Sequence, residues 1–97
     1  MYEIRYHQAA IKYLKKIKDK KLKAEFIKAI GQLKSNPYVG SPKVGDLNGI
    51  YGYDVRYKAV NYEIAYRIYE TESKLVVVIL AGTRENFYEE LKRLLRS

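Results

Sequence analysis

The second half of this sequence interleaves side chains that hold anions with side chains that move protons. In Tyr53-Asp54-Val55-Arg56-Tyr57-Lys58, Arg56 and Lys58 fall on one face of an extended chain. In Tyr62-Glu63-Ile64-Ala65-Tyr66-Arg67, Glu63 and Arg67 share a face in the same way. Arg84 and Tyr88 follow an apolar run. Arginine grips an oxyanion through paired hydrogen bonds. A lysine crowded by other cations loses basicity and can accept a proton. Glutamate can serve as a base, and tyrosine can donate or relay a proton. The candidate catalytic set is therefore Arg56, Lys58, Glu63, Arg84 and Tyr88, and the candidate polyanion-binding set is Arg56, Lys58, Arg67 and Arg84. Asp54 is a second acid on the same face. An ordinary solvated sheet face, with arginine–glutamate pairs across strands, has the same pattern, so residue types alone leave both readings open. His7 ends the first extended stretch and reads as structural, not catalytic.

The whole chain is biased the same way. Its 97 residues carry 19 lysines and arginines against 11 acids, a net charge of +8. A field of that sign on so small a body favours RNA, DNA, anionic lipid or an acidic protein. The 11 tyrosines supply flat rings on which bases can stack beside those cations. The absence of cysteine excludes disulfides, thiolate nucleophiles and cysteine-bound metals, and a single histidine excludes multi-histidine metal sites. No metal or cofactor is expected. The apolar run Leu75 to Ala81 is too short to span a bilayer, and Met-Tyr-Glu-Ile-Arg has no apolar signal region. A cytoplasmic protein without membrane contact is expected.

Periodicity assigns the elements that position these residues. Tyr2 to His7 alternates as a half-buried strand. Ala10, Ile11, Leu14 and Ile17 then line one face of a short helix. Asp19 is placed to cap a second helix, whose face is Leu22, Phe26, Ala29, Ile30 and Leu33. Asn36-Pro37 disfavours its continuation past Ser35. Residues 36–49, with both prolines, read as a loop. From Ile50 two alternating strands flank a turn near Ala59 to Asn61, and Leu75 to Leu80, apolar on both faces, reads as a central strand. Asn86 with Glu89 resembles a capping box before a last helix carrying Phe87, Leu91, Leu94 and Leu95. The expected fold class is α+β in the order βααβββα. Residues 1–97 are expected to form one domain, its helical hairpin packed on an antiparallel meander and the charged face left open.

The order and spacing of these segments resemble RelE/ParE-family toxins of type II toxin–antitoxin systems. The stretches that carry the resemblance are Asp46-Leu47-Asn48-Gly49, Tyr53-Asp54-Val55-Arg56, Asn61 to Ile68, and Ala81-Gly82-Thr83-Arg84-Glu85-Asn86-Phe87-Tyr88. It covers nearly the whole chain and implies a RelE-like fold. It also implies a ribosome-dependent mRNA endoribonuclease that inhibits translation and arrests growth. By position, Arg56 and Lys58 match the family's basic strand, Arg84 its late arginine and Tyr88 its tyrosine. Glu63 and Asp54 depart from the pattern, Glu63 standing where many of these toxins have an arginine and Asp54 where RelE itself has a lysine. Such chemistry needs no metal. The RNA 2′-hydroxyl attacks the adjacent phosphate, and the protein supplies a base, charge stabilisation and an acid. The same fold serves two alternatives, a ParE-like DNA gyrase poison without nuclease activity and a non-catalytic RNA-binding module. The implied partners are mRNA, the ribosome and a cognate antitoxin with an acidic amphipathic segment.

Overall fold

The computed structural model describes residues 1–96. Strand β1 (Glu3–Tyr6) leads into α1 (Gln8–Lys16) through His7, whose Nδ1 accepts the Ala9 amide at 3.0 Å. The lone histidine thus caps a helix. Asp19 does the same for α2 (Lys20–Ser35), accepting the Lys21 and Leu22 amides at 2.9 and 3.2 Å. Those two amides, together with Tyr57 and Lys58, hold the Asp19 carboxyl below the usual carboxylate range against a smaller opposing effect of burial, the Leu22 amide acting most strongly. Asn36 is extended, as a residue before proline should be, and α2 stops there. Two 3₁₀ turns, Pro37–Val39 and Gly45–Leu47, flank a two-residue strand β2 (Ser41–Pro42). Then come β3 (Tyr51–Tyr57), β4 (Val60–Tyr69), β5 (Leu75–Thr83) and α3 (Phe87–Arg96).

The five strands form one sheet in the order β1-β5-β4-β3-β2. The meander β3-β4-β5 is antiparallel as expected, while β1 joins its far edge parallel to β5 and β2 adds a short antiparallel edge. The hairpin between β3 and β4 is tighter than the sequence indicates. Only Lys58 and Ala59 turn the corner, at φ 50° and 64°. Both lie in the left-handed region that a two-residue hairpin demands and that side chains disfavour. A bulge at Ala65/Tyr66 shifts the β4–β5 register, leaving Ile79 unpaired.

The helical hairpin packs Leu22, Phe26, Ala29 and Leu33 against Val55, Ile64, Tyr66, Val76 and Val78 of the sheet. Tyr66 is fully buried and donates its hydroxyl to the Pro37 carbonyl at 2.6 Å, tying the sheet to the loop after α2. The opposite face is not open. Helix α3 and the loop before β3 cover it, with Leu47, Ile50, Phe87 and Leu91 packed on Ala65, Ile79 and Leu80. Burial of this second face follows from α3, whose apolar stripe must go somewhere. Asn86 has φ 57°, so α3 begins from a left-handed residue and not from the extended conformation of a capping box.

Candidate functional site

Glu63 is the one buried charged residue among those described, with its side chain 1% exposed. It sits mid-sheet, opposite Asp54 on β3 and Gly82 on β5, on the face that α3 covers. A carboxylate there must be paired. Three segments supply the partners. Lys43, from the loop after β2, places Nζ 3.4 Å from Oε2. Arg84, just past β5, places Nε 3.4 Å from Oε1. Tyr88, in the first turn of α3, donates its hydroxyl to Oε2. Oε1 has no hydrogen-bond donor, so its charge is met by Arg84 alone.

The backbone explains how the groups converge. Pro42 pairs with Tyr51, and the Lys43 amide donates to the Ile50 carbonyl at 2.8 Å, so Lys43 runs beside β3. Glycine at position 52 on β3 leaves room for both side chains. A Cβ there would overlap Glu63 Oε2 and lie 2.8 Å from Lys43 Cε. At the other side, the Arg84 amide donates to the Asn61 carbonyl at 3.1 Å, extending the sheet past β5. Arg56 pairs with Asn61 across β3–β4 and donates to its Oδ1 at 3.2 Å. By strand alternation Arg56 therefore shares the Glu63 face, one row toward the hairpin.

The electrostatics set the protonation states. Burial disfavours the charged form of Lys43, but Tyr88 and Glu63 outweigh it and hold the ammonium above its ordinary range. Lys43 is thus a fixed cation, the opposite of a lysine tuned as a base. Its Nζ lies 5.0 Å from the centroid of the Tyr88 ring. Burial, then the hydrogen bond to Glu63, raises the Tyr88 phenol, so Tyr88 keeps its proton at neutral pH. The arrangement joins two cations, a proton donor and a carboxylate able to take a proton back. Among the described residues no group of three or more His, Cys, Asp or Glu is placed to hold a metal ion, and no helix is long and apolar enough to cross a membrane.

A family model described as the ParE-like toxin of type II bacterial toxin–antitoxin systems matches residues 4–92. The chain belongs to that toxin family. A RelBE toxin–antitoxin complex from Mycobacterium tuberculosis contains a similar chain, 30% identical, with a TM-score of 0.65 over 86% of this chain and 98% of that one. An arginine double mutant of the E. coli toxin RelE in the free state shares the fold at 21% identity, with a TM-score of 0.70 over 95% and 96% of the two chains. A histidine-to-glutamine mutant of YafQ from E. coli shares it at 18% identity, with a TM-score of 0.54 over 91% and 99%. No curated protein matches the chain.

The toxin's fold distributes the sequence-derived residues unevenly. Glu63, Arg84 and Tyr88 meet, and Arg56 stands in the adjacent row. Glu63 is not a solvated sheet residue, because Tyr88, Lys43 and Arg84 enclose it. Lys58 lies in the left-handed turn, 4.0 Å from Asp19 Oδ2 at the start of α2, and so leans toward the helical hairpin. Arg67 is further along β4 beyond the bulge, half-buried beside Gly49. Sequence reasoning missed Lys43, which lies in a loop without periodicity. The signal that could have found it is Gly52, a glycine inside a strand, which marks a close approach.

Proposed function

We propose that this toxin is a ribosome-dependent mRNA endoribonuclease. The observation that carries the reading is the convergence of Lys43, Arg84 and Tyr88 on Glu63, with Arg56 alongside on the same sheet face. In the free protein Arg84 places Nε against Glu63, and its guanidinium is able to hold a phosphate through paired hydrogen bonds. Lys43 adds a second positive charge for the phosphorane. The RNA 2′-oxygen bonds to phosphorus as the bond to the 5′-oxygen breaks. The 2′-hydroxyl proton passes to the Glu63 carboxylate, and the 5′-oxygen takes its proton from the Tyr88 phenol. The products are a 2′,3′-cyclic phosphate and a 5′-hydroxyl. Glu63 and Tyr88 are already hydrogen-bonded, so the proton on Glu63 returns to Tyr88 and resets the site. Four groups on a small, enclosed site leave much of the alignment to be supplied from outside, and a ribosome that fixes the mRNA supplies it.

The partner that restrains it is a cognate antitoxin. Between α1 and α3 runs a groove of about 800 Å³ in which Lys12, Lys15 and Lys16 outnumber Glu85 and Glu90 beside an apolar floor that includes Phe87. Cations beside apolar side chains suit an acidic amphipathic segment. Inducing the toxin alone should arrest growth and create new codon-phased mRNA 5′ ends. The reading as a gyrase poison draws on one observation, that Glu63 engages both Lys43 and Arg84 in the free protein. DNA double-strand breaks without new mRNA ends would establish that reading and overturn the ribonuclease.

A further inference from the structure

We infer that Glu63 is a resident anion: its carboxylate fills a phosphodiester-binding site made by Lys43, Arg84 and Tyr88, and RNA must displace it to bind. The inference rests on the ribonuclease reading and adds a built-in restraint to it.

Three observations carry it. The carboxylate is enclosed, with its side chain 1% exposed, yet its partners reach solvent: Arg84 is 48% exposed and Lys43 24%. An anion arriving from solvent meets those two cations first. The donor set is also of mixed kind and comes from three separate segments, a loop, a strand end and a helix start. A guanidinium, an ammonium and a phenol around one oxyanion suit a tetrahedral phosphate as well as a planar carboxylate. Last, the carboxylate is incompletely satisfied. Oε1 is buried with no hydrogen-bond donor and faces only the Arg84 charge at 3.4 Å. Its hold on the site is therefore weaker than a fully bonded ion pair, and exchange for a phosphate is feasible.

The charge count gives the consequence. Lys43 and Arg84 together carry two positive charges, and Glu63 cancels one of them. The free protein thus presents a weakened grip on nucleic acid at its own centre despite a net charge of +8. When a phosphate takes over the cations, Glu63 is left without counter-charges beside the RNA.

The test uses the purified protein and an RNA oligonucleotide methylated at every 2′-oxygen, which can bind but cannot be cut. Glu63→Gln keeps the shape and removes the charge. It should tighten binding roughly tenfold, as expected for deleting one like charge a few ångströms from a phosphate. It should also steepen the log–log salt dependence by about 0.7, one added phosphate contact on a single strand. The double variant Glu63→Gln with Arg84→Ala should lose that gain. Inorganic phosphate should raise the melting temperature of Glu63→Gln more than that of the wild type, a measurement that also confirms folding. Equal or weaker RNA binding by a folded Glu63→Gln variant overturns the inference. If phosphate binds more tightly to the variant but RNA binds neither form, the resident anion stands and the ribonuclease reading fails.

Discussion

Replacing Arg84 with alanine tests whether the site is also a structural unit. Arg84 is about half exposed, and a surface arginine of that kind normally contributes within about 0.5 kcal/mol to stability. Here it is one of two cations on the Glu63 carboxylate and the one beside Oε1, which is buried and lacks any hydrogen-bond donor among the described residues. Losing it leaves a buried carboxylate with Lys43 as its one remaining cation among the described residues, a penalty of about 1–3 kcal/mol. Water can enter the space that Arg84 vacates, so the cost belongs at the lower part of that range, about 1–2 kcal/mol. In a domain of this size that corresponds to a drop in melting temperature of roughly 5–10 °C. Urea denaturation of four proteins decides the matter: wild type, Arg84→Ala, Glu63→Gln and the double variant. The double variant should recover most of the loss, because an uncharged amide no longer needs the guanidinium. An Arg84→Ala protein within 0.5 kcal/mol of wild type, or a double variant showing two additive losses, would refute the coupling. On the proposed ribonuclease reading, toxicity should fall on the order of a hundredfold in the single variant, as expected for losing one charged contact to a phosphorane.

Three further outcomes follow from the geometry. Gly52→Ala should cost only about 1 kcal/mol, because the Glu63 and Lys43 ends that its Cβ overlaps can shift, but that shift separates the pair and should reduce toxicity; thermal melts and growth assays read both. Ala59→Gly should stabilise by about 0.5–1 kcal/mol in urea titrations by relieving a left-handed alanine. Tyr66→Phe removes the hydroxyl bound to Pro37 and should cost about 1–2 kcal/mol at pH 7. Burial pushes the Tyr66 phenol up to about 12, so the stability it provides is complete below pH 10 and lost as pH rises toward 12. Between pH 9 and pH 11 the gap between wild type and Tyr66→Phe should therefore close by about 1 kcal/mol, as followed by denaturation at each pH.

What could be read from residues alone depended on period. The helical hairpin was legible because Leu22, Phe26, Ala29 and Leu33 repeat at helical spacing behind the Asp19 cap, and all four are buried. The meander was legible from alternation in β3 and β4 and from the doubly apolar β5. Alternation separates two faces but does not say what covers them. The sequence therefore suggested a solvated face, while α3 packs there and buries Glu63. The hairpin tip escaped because Lys58-Ala59 lacks the Asn-Gly signature of a two-residue turn. That turn in turn carries Lys58 toward Asp19, which strand alternation could not show. The parallel pairing of β1 with β5 has no local signal, since neither strand's pattern names its neighbour. Lys43 was hidden for the same reason: its place beside Glu63 depends on two short edge contacts, Ser41 with Gly52 and Pro42 with Tyr51.

The edge pairing of β1 also fixes when the sheet can close. Glu3 is opposite Leu75, so the first strand emerging from a ribosome has no neighbour until the last strand of the sheet has been made. Such distant pairing is the slow part of folding. Arg84 and Tyr88 come later still, beyond β5. A growing chain that has not passed Tyr88 holds Lys43 and Glu63 but lacks the guanidinium and the phenol. Synthesis order thus completes the cluster around Glu63 only when the last helix has been made.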